Sequence, residues 1–188
     1  VAAAAVRALA TRRRPAPAPR HVSSEGAMKP VLFREVQRFR EVWWVMALVL
    51  GLSGLQWWMA WQQLVRGVPV GNNPGSNLMV FTFWLIFGIG FPLFFWFLRL
   101  EVEVYPDAVT IRYVPLTRRV IPKVEIARIE PRHYSPLGEF GGWGIRGWGG
   151  RIAYNVRGKE GVELTLTDGR VVLIGSQRAA ELGMAIRN

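Results

Sequence analysis

The sequence predicts a membrane α-helical hairpin, made of two transmembrane helices, followed by a small β-barrel or α+β domain with a C-terminal helix. Three observations support this fold class. Two long stretches of the 188-residue chain contain no charged residue, and seven of the nine tryptophans fall between positions 43 and 96. From residue 99 onward, apolar and polar residues alternate with the period of a β-strand. The chain therefore divides into a lipid-facing part and a water-facing part.

The first 27 residues form a basic N-terminal extension that is rich in alanine, proline and arginine. Residues 1–41 carry nine lysines and arginines against three acids, and the whole chain has a net charge of +11. The densest cluster is Arg12, Arg13 and Arg14. Alone in solution such a basic tail is expected to be disordered. In the cell we expect it to contact anionic lipids or a partner protein, because each cation near an anionic membrane surface contributes about 1 kcal/mol. Nucleic acid is not a predicted partner, since the arginine cluster stands alone on the tail.

Residues 28–41 show an amphipathic pattern just before the first uncharged stretch. In a helix, four apolar residues share one side: Leu32, Phe33, Val36 and Phe39. Arg34 and Arg38 fall on the polar remainder. We predict a helix that lies along the lipid headgroups, with Arg34 and Arg38 contacting lipid or a partner. An extension of the following helix is the alternative.

Residues 42–65 and 78–98 are the two predicted transmembrane helices, within a hairpin over 42–98. At ~1.5 Å per residue the second helix covers roughly 31 Å, which matches the hydrocarbon core of a bilayer. The link over 66–77 is short and full of Gly, Pro and Asn, so the two helices are expected to be antiparallel. The link carries one cation, Arg66, whereas both flanks of the hairpin are rich in cations. The positive-inside rule then places both ends of the chain in the cytoplasm.

Several side chains of the first span are candidates for contact with a partner or with lipid. They are Gln56, Trp57, Trp58 and Trp61. Gln56 is expected either to find a polar partner across the hairpin or in another subunit, or to bond the backbone of its own helix. Small residues at Ala47, Gly51 and Gly54 form a stripe on which another helix can pack closely.

Six or seven short strands and one helix are predicted over residues 99–188. The strand segments are 100–105, 109–114, 119–122, 124–130, 151–156, 162–167 and 171–174. Residues 158–161 and Asp168-Gly169 are expected to be hairpin turns. Ser176 is expected to cap a helix over 177–187. This order of elements is that of a pleckstrin-homology-like (PH-like) barrel.

The segment GGWGIRGWGG at 141–150 contains a formal match to the dinucleotide-binding pattern G-x-G-x-x-G. That pattern binds pyrophosphate only where it leads into a helix, and here a β-branched run with no helical period follows. We interpret the segment as an inter-strand loop. Trp143 fills the barrel interior, contacts the membrane or a partner, or belongs to a ligand-binding loop. Trp148 is expected to be the more exposed of the two.

Catalytic chemistry is not predicted. The chain has no cysteine and two histidines, which excludes disulfides, thiolate metal ligands and thiol nucleophiles. His133 has no carboxylate or serine at a motif spacing, and Asp107, Glu160 and Asp168 fall in turns. We predict a protein that is not an enzyme, with no cofactor, metal or small-molecule substrate. The sequence does not decide whether lipids are bound or pigments lie nearby.

Five segments resemble an uncharacterised bacterial family of small two-span membrane proteins. They are LFREVQRF (32–39), RLEV (99–102), EFGGWGIR (139–146), AYNV (153–156) and LIGSQ (173–177). The resemblance covers most of residues 30–188, and EFGGWGIR is its most specific part. It implies a protein of the bacterial inner membrane whose domain over 99–188 is similar to bacterial PH-like domains. It implies no biochemical activity.

Three functions are consistent with these features. The first is an accessory or scaffold subunit that stabilises a larger membrane protein complex, respiratory or photosynthetic, through its hairpin, tail and cytoplasmic domain. The second is a lipid-sensing module that binds a headgroup through Arg112, Arg118, Arg119 or Lys123. The third is an assembly or stress factor that engages its partners transiently.

Overall fold

Two long helices and two β-sheets account for most of the described chain. The computed structural model describes residues 30–188. The helices are α1 (Trp43–Val65), α2 (Asn77–Phe97), α3 (Pro136–Phe140) and α4 (Ala179–Arg187). The strands are β1 (Phe33–Arg38), β2 (Arg99–Val104), β3 (Ala108–Val114), β4 (Thr117–Pro122), β5 (Ile126–His133), β6 (Gly144–Trp148), β7 (Arg151–Asn155), β8 (Glu160–Leu166) and β9 (Val171–Gly175). The prediction of two long apolar helices and a β-rich region with a C-terminal helix is confirmed.

The chain forms a strand, β1, where an amphipathic helix was predicted over 28–41. β1 pairs antiparallel with β2 along its whole length, from Phe33 opposite Val104 to Arg38 opposite Arg99. That prediction is therefore wrong, and so is the start of the β domain at residue 99. The β-strand alternation was hidden because the inward side of β1 carries polar residues, which find hydrogen-bond partners inside the domain. The helical hairpin is thus an insertion between two paired strands.

The strands form two sheets. One has the order β1-β2-β3-β4, and the other has the order β5-β8-β9-β7-β6. β8 and β9 are antiparallel neighbours joined at Asp168-Gly169, which confirms that hairpin turn. The predicted hairpin at 158–161 is wrong, because β7 pairs in parallel with β9 and the chain crosses β9 to reach β8.

The glycine-rich segment is partly a strand and not wholly a loop. β6 pairs antiparallel with β7, from Gly144 opposite Asn155 to Trp148 opposite Arg151. The turn between them is Gly149-Gly150, with φ of +56° and +83°, a left-handed conformation that favours glycine. The strand was missed because its residues GIRGW lack the β-branched alternation that marks a half-buried strand.

The last helix begins at Ala179, two residues later than predicted, and Ser176 is not its N-cap. The Ser176 hydroxyl instead accepts a hydrogen bond from the Arg178 amide at 3.0 Å and donates one to Glu35 on β1. The residue therefore connects the start of this helix to the first strand.

The hydrophobic core fills the space between the two sheets and α4, and it continues into the base of the hairpin. Its fully buried members include Leu100, Ile111, Tyr113, Ile121, Leu164, Ile174 and Leu182. Phe39, Val42 and Leu98, at the ends of the inserted hairpin, belong to the same cluster. The ring of Phe39 packs edge-on against Phe95 of α2 at 5.8 Å. The hairpin is therefore rooted in the β-domain core.

Candidate membrane and partner interface

The long helices have the length and composition needed to cross a membrane. α1 has 23 residues and α2 has 21, and only 22% and 11% of their most apolar windows are buried. Tryptophans mark both ends of α1, with Trp43 and Trp44 at one end and Trp58 and Trp61 at the other. At ~1.5 Å per residue these ends are roughly 27 Å apart. Such spacing is typical of the aromatic belts at the two membrane surfaces.

The two helices are joined at mid-height by hydrogen bonds to one backbone carbonyl. In a regular helix the Gly88 carbonyl would accept from the amide of residue 92, which is proline and has no N–H. Ser53 Oγ donates to this carbonyl at 2.7 Å and Trp57 Nε1 donates to it at 3.1 Å. A π-helical turn over Trp84–Gly90 occupies the same place in α2. Side-chain donors of α1 thus bond this carbonyl where the proline supplies no amide.

Gln63, and not Gln56, provides the polar connection at the far end of the hairpin. Gln63 Nε2 donates to the Gly75 carbonyl at 2.6 Å and to Asn77 Oδ1 at 3.1 Å. Gln56 is half-buried, lines a groove with leucines of α1 and phenylalanines of α2, and makes no hydrogen bond within residues 30–188. Neither expected intramolecular partner of Gln56 is present there.

At the base of the hairpin, the glycine-rich segment touches α1. The rings of Trp143 and Trp44 pack edge-to-face at 5.6 Å. Trp143 is half-buried on the helix and does not plug the interior between the sheets. The Arg40 guanidinium lies 5.2 Å from the centre of the Trp96 ring, a cation–π contact at the same level. Trp148 is 91% exposed, which confirms the prediction for that residue.

The predicted contact arginines of β1 form ion pairs within the chain. Arg34 lies 3.3 Å from Glu103, and Arg38 lies 3.3 Å from Glu41. Glu103 and its neighbour Glu101 are buried on the outer face of the first sheet. Arginines of three strands surround their carboxylates and form ion pairs with them: Arg34, Arg99 and Arg112.

The four cations proposed for headgroup binding do not form one site. Arg112 and Arg118 are cross-strand neighbours on the outer face. Arg119 points to the other side, into a cavity of about 340 Å³ that it shares with Arg151, Arg170 and Trp148. Lys123 donates to the Ala185 carbonyl at 3.0 Å, and burial lowers its pKa while Asp107 opposes that effect.

A polar cluster beside this interface could not be recognised from the sequence. Glu35 accepts hydrogen bonds from Gln37 Nε2 at 3.0 Å, from the Gln177 amide at 2.9 Å and from the Ser176 hydroxyl. Gln37 is 1% exposed and also donates to the Gly175 carbonyl at 2.8 Å. The cluster ties β1 to the start of α4. Its members are far apart in the sequence and match no motif.

A second charged network lies on the surface of the sheet β5-β8-β9-β7-β6. The Arg132 guanidinium bonds Glu139 at 2.7 Å and Glu163 at 2.7 Å, and Arg151 approaches Glu163 at 3.3 Å. The pKa of Glu139 is lowered, chiefly by its hydrogen bonds from Arg132. Within residues 30–188, no group of three or more His, Cys, Asp or Glu residues is placed to hold a metal. Arg12, Arg13 and Arg14 lie outside the described residues.

Comparison with known proteins gives one match. A family model described as a family of unknown function covers residues 25–188. No curated protein and no solved structure matches the chain. The match includes the strand before the hairpin, both long helices and all of the β domain.

Proposed function

The chain belongs to this family of unknown function, DUF6141, and from that premise we propose that it is a non-catalytic membrane protein that acts as an accessory subunit. Its hairpin docks against a larger membrane protein complex and stabilises it, and the β domain rests on the cytoplasmic face of that complex. A respiratory or photosynthetic assembly of a bacterial inner membrane is a suitable host. The β domain, two sheets closed by a C-terminal helix, is proposed to be PH-like.

The orientation follows from charge. The link between the helices, at the end of the hairpin far from the β domain, carries the single cation Arg66. The β-domain end carries Arg38, Arg40 and Arg99 next to the helices. By the positive-inside rule, the β domain and both ends of the described chain lie in the cytoplasm.

The main support for a protein partner is the outward face of α1. Residues 49, 53 and 60 are buried against α2, whereas Gly51 lies about half a turn away and Gly54 about a third of a turn, at ~100° per residue. A Cβ atom added at either glycine would meet nothing within 4 Å. The stripe predicted for close packing therefore faces away from α2. A lipid-facing surface gains nothing from glycine, but a partner helix can approach such a surface closely.

Blocking this glycine face should test the proposal. Gly54→Leu adds a side chain where the chain itself has free space, so folding should be unaffected and the partner displaced. Gly90→Leu is the matched control, because Gly90 is an exposed glycine of the other helix. The measurement is the mass and subunit ratio of the tagged protein after native purification in mild detergent.

The expected result is a fixed-ratio complex for the wild type and for G90L, and loss of that complex for G54L. A trace amount of partner in place of a fixed ratio would identify a transient assembly factor. A wild-type protein that always migrates alone would rule out the accessory-subunit proposal.

A second candidate function, binding of an anionic lipid headgroup by the β domain, is favoured by the cavity at Arg119. Three guanidinium groups line it, and Arg119 forms no ion pair within the described chain. Native mass spectrometry with added phosphatidylglycerol or phosphatidylcholine measures the preference. Arg119→Gln should remove a preference for phosphatidylglycerol, and Lys159→Gln, in an exposed turn, should keep it. Equal binding of both lipids by the wild type would exclude this function.

A further inference from the structure

The turn between β3 and β4 returns to the base of the membrane hairpin. β2 leads away from α2, and β3 runs antiparallel to it, so that Val114 at the end of β3 pairs with Arg99, one residue after the hairpin. The chain then continues through Pro115 and Leu116 before β4 begins. These two residues therefore project past the last paired position, toward the side on which the helices lie.

The backbone of the turn is fixed by a hydrogen bond, but the side chain of Leu116 is exposed to solvent. The Leu116 amide bonds the Tyr113 carbonyl at 2.6 Å, and Tyr113 is buried against Phe39 at the root of the hairpin. The Leu116 side chain is nevertheless 55% exposed. Trp96 and Phe97, at the end of α2, are exposed to a similar extent, 52% and 57%. Leu116 thus extends the apolar surface of the helix end onto the β domain.

The charges around the turn favour anionic headgroups. The two acids at this level are already paired, Glu41 with Arg38 and Arg157, and Glu101 with Arg99 and Arg112. Arg118, two residues after Leu116, is exposed and forms no ion pair with any described residue. Arg40 is held over the Trp96 ring. Exposed apolar and cationic side chains at one level are the combination that binds an anionic membrane interface.

We propose that the β3–β4 turn is a third membrane contact, in which Leu116 enters the interfacial layer of the leaflet on the β-domain side and Arg118 contacts anionic phospholipid headgroups. This contact rests on the proposed insertion of the hairpin. With the ends of α1 and α2 it gives three points of attachment, which fix the tilt of the β domain against the bilayer. The outer face of the first sheet then has one defined orientation for a partner.

Because the chain has no cysteine, a single introduced cysteine gives a unique labelling site. Leu116→Cys carries an environment-sensitive fluorophore at the turn. Val124→Cys is the matched control, since Val124 is an apolar residue just past the other end of β4 and is 87% exposed. At ~3.4 Å per residue the length of β4 separates the two sites by roughly 20 Å. The full chain is reconstituted into vesicles of phosphatidylcholine, alone or mixed with phosphatidylglycerol.

Compared with the label at position 124, the label at position 116 should show blue-shifted emission. Lipids that carry a quencher near the headgroup should quench it several-fold more strongly. The label at position 124 should show the emission of a fluorophore exposed to water. Phosphatidylglycerol should strengthen quenching at position 116, and adding Arg118→Gln should remove that increase. Emission typical of water at both positions would overturn the proposal. So would a label at position 116 that is shielded from water but is not quenched by the lipid quenchers.

Alkaline extraction of the vesicles separates this outcome from a failure of the proposed function. Chain that is released by alkali is not inserted, which refutes the membrane hairpin itself. Chain that resists alkali but carries a water-exposed label at position 116 keeps the hairpin and refutes only the contact of the turn.

Discussion

The β domain and the helical hairpin both contain many large apolar residues, but they use them in opposite ways. In the β domain Leu100, Ile111 and Leu164 are completely buried. In the hairpin Trp43 and Leu78 are 78% and 75% exposed. The β domain is therefore stabilised by burial of its own side chains, whereas the two helices of the hairpin contact each other but leave most of their large apolar side chains exposed. Apolar composition alone does not distinguish a core from an outer surface.

The sharpest test of this difference is the same substitution in each region. Leu100→Ala leaves a cavity in the β-domain core and should lower the free energy of unfolding by about 3 kcal/mol. Leu50→Ala, at a position 57% exposed on α1, should change it by less than about 0.5 kcal/mol. Urea unfolding in mild detergent, followed by circular dichroism, measures both. Equal losses would show that the two regions do not differ in the way described.

The next largest effect concerns the polar cluster that closes the β domain. Glu35→Ala removes the acceptor of three hydrogen bonds and should cost about 2 kcal/mol in the same unfolding assay. Glu181→Ala removes an exposed carboxylate that, among residues 30–188, pairs with Arg178 alone, and it should cost no more than about 0.5 kcal/mol. If E35A lowers the free energy of unfolding no more than E181A does, β1 is held only by its backbone hydrogen bonds to β2.

A smaller effect is expected inside the hairpin. Ser53→Ala removes one of the two donors to the Gly88 carbonyl and should weaken the contact between the helices by about 1 kcal/mol. Thr82→Ala is the matched control, since its hydroxyl bonds the Leu78 carbonyl of its own helix. Titration with a denaturing detergent measures the loss of the helix contact. A similar shift for both variants would mean that the interhelical bond contributes nothing specific.

The smallest effect is a difference in pH response. The pKa of Glu139 lies below its ordinary value of about 4.5, so its ion pair with Arg132 stabilises the fold at higher pH. That contribution is lost as the pH falls below 4.5 and the carboxylate takes up a proton. Glu139→Gln should therefore make the β domain slightly less sensitive to acid. The hairpin helices contain no Asp, Glu, Lys or Arg, and their contact should not change over this range.

The sequence predicts the hairpin well and the first strand badly, for one physical reason. A membrane helix is specified by length and lack of charge, which neighbouring residues display together. β1 is specified by partners elsewhere in the chain: Glu35 and Gln37 point inward only because Gly175, Ser176 and Gln177 lie opposite them. Hydropathy marks such positions as surface, and the segment then fits a helix equally well.

The candidate interface shows the same limit. The exposed tryptophans of α1 and Trp148 follow from composition and turn content. The hydrogen bonds between the helices do not follow from the sequence in this way. The role of Ser53 depends on Pro92, which removes the amide that would have bonded the Gly88 carbonyl. Nor does the sequence indicate that Gly51 and Gly54 face away from the second helix, because a stripe on one helix does not say which neighbour it meets.

The insertion of the hairpin between β1 and β2 imposes an order on biosynthesis. β1 leaves the ribosome before either helix, and its partner strand is translated only after α2 is complete. The first strand therefore stays unpaired with β2 until both helices have been translated. Once both helices are in place, their near ends meet, with the Phe39 amide 3.1 Å from the Leu98 carbonyl, and the sheet closes. The first sheet of the β domain can therefore be completed only after the whole hairpin has been synthesised.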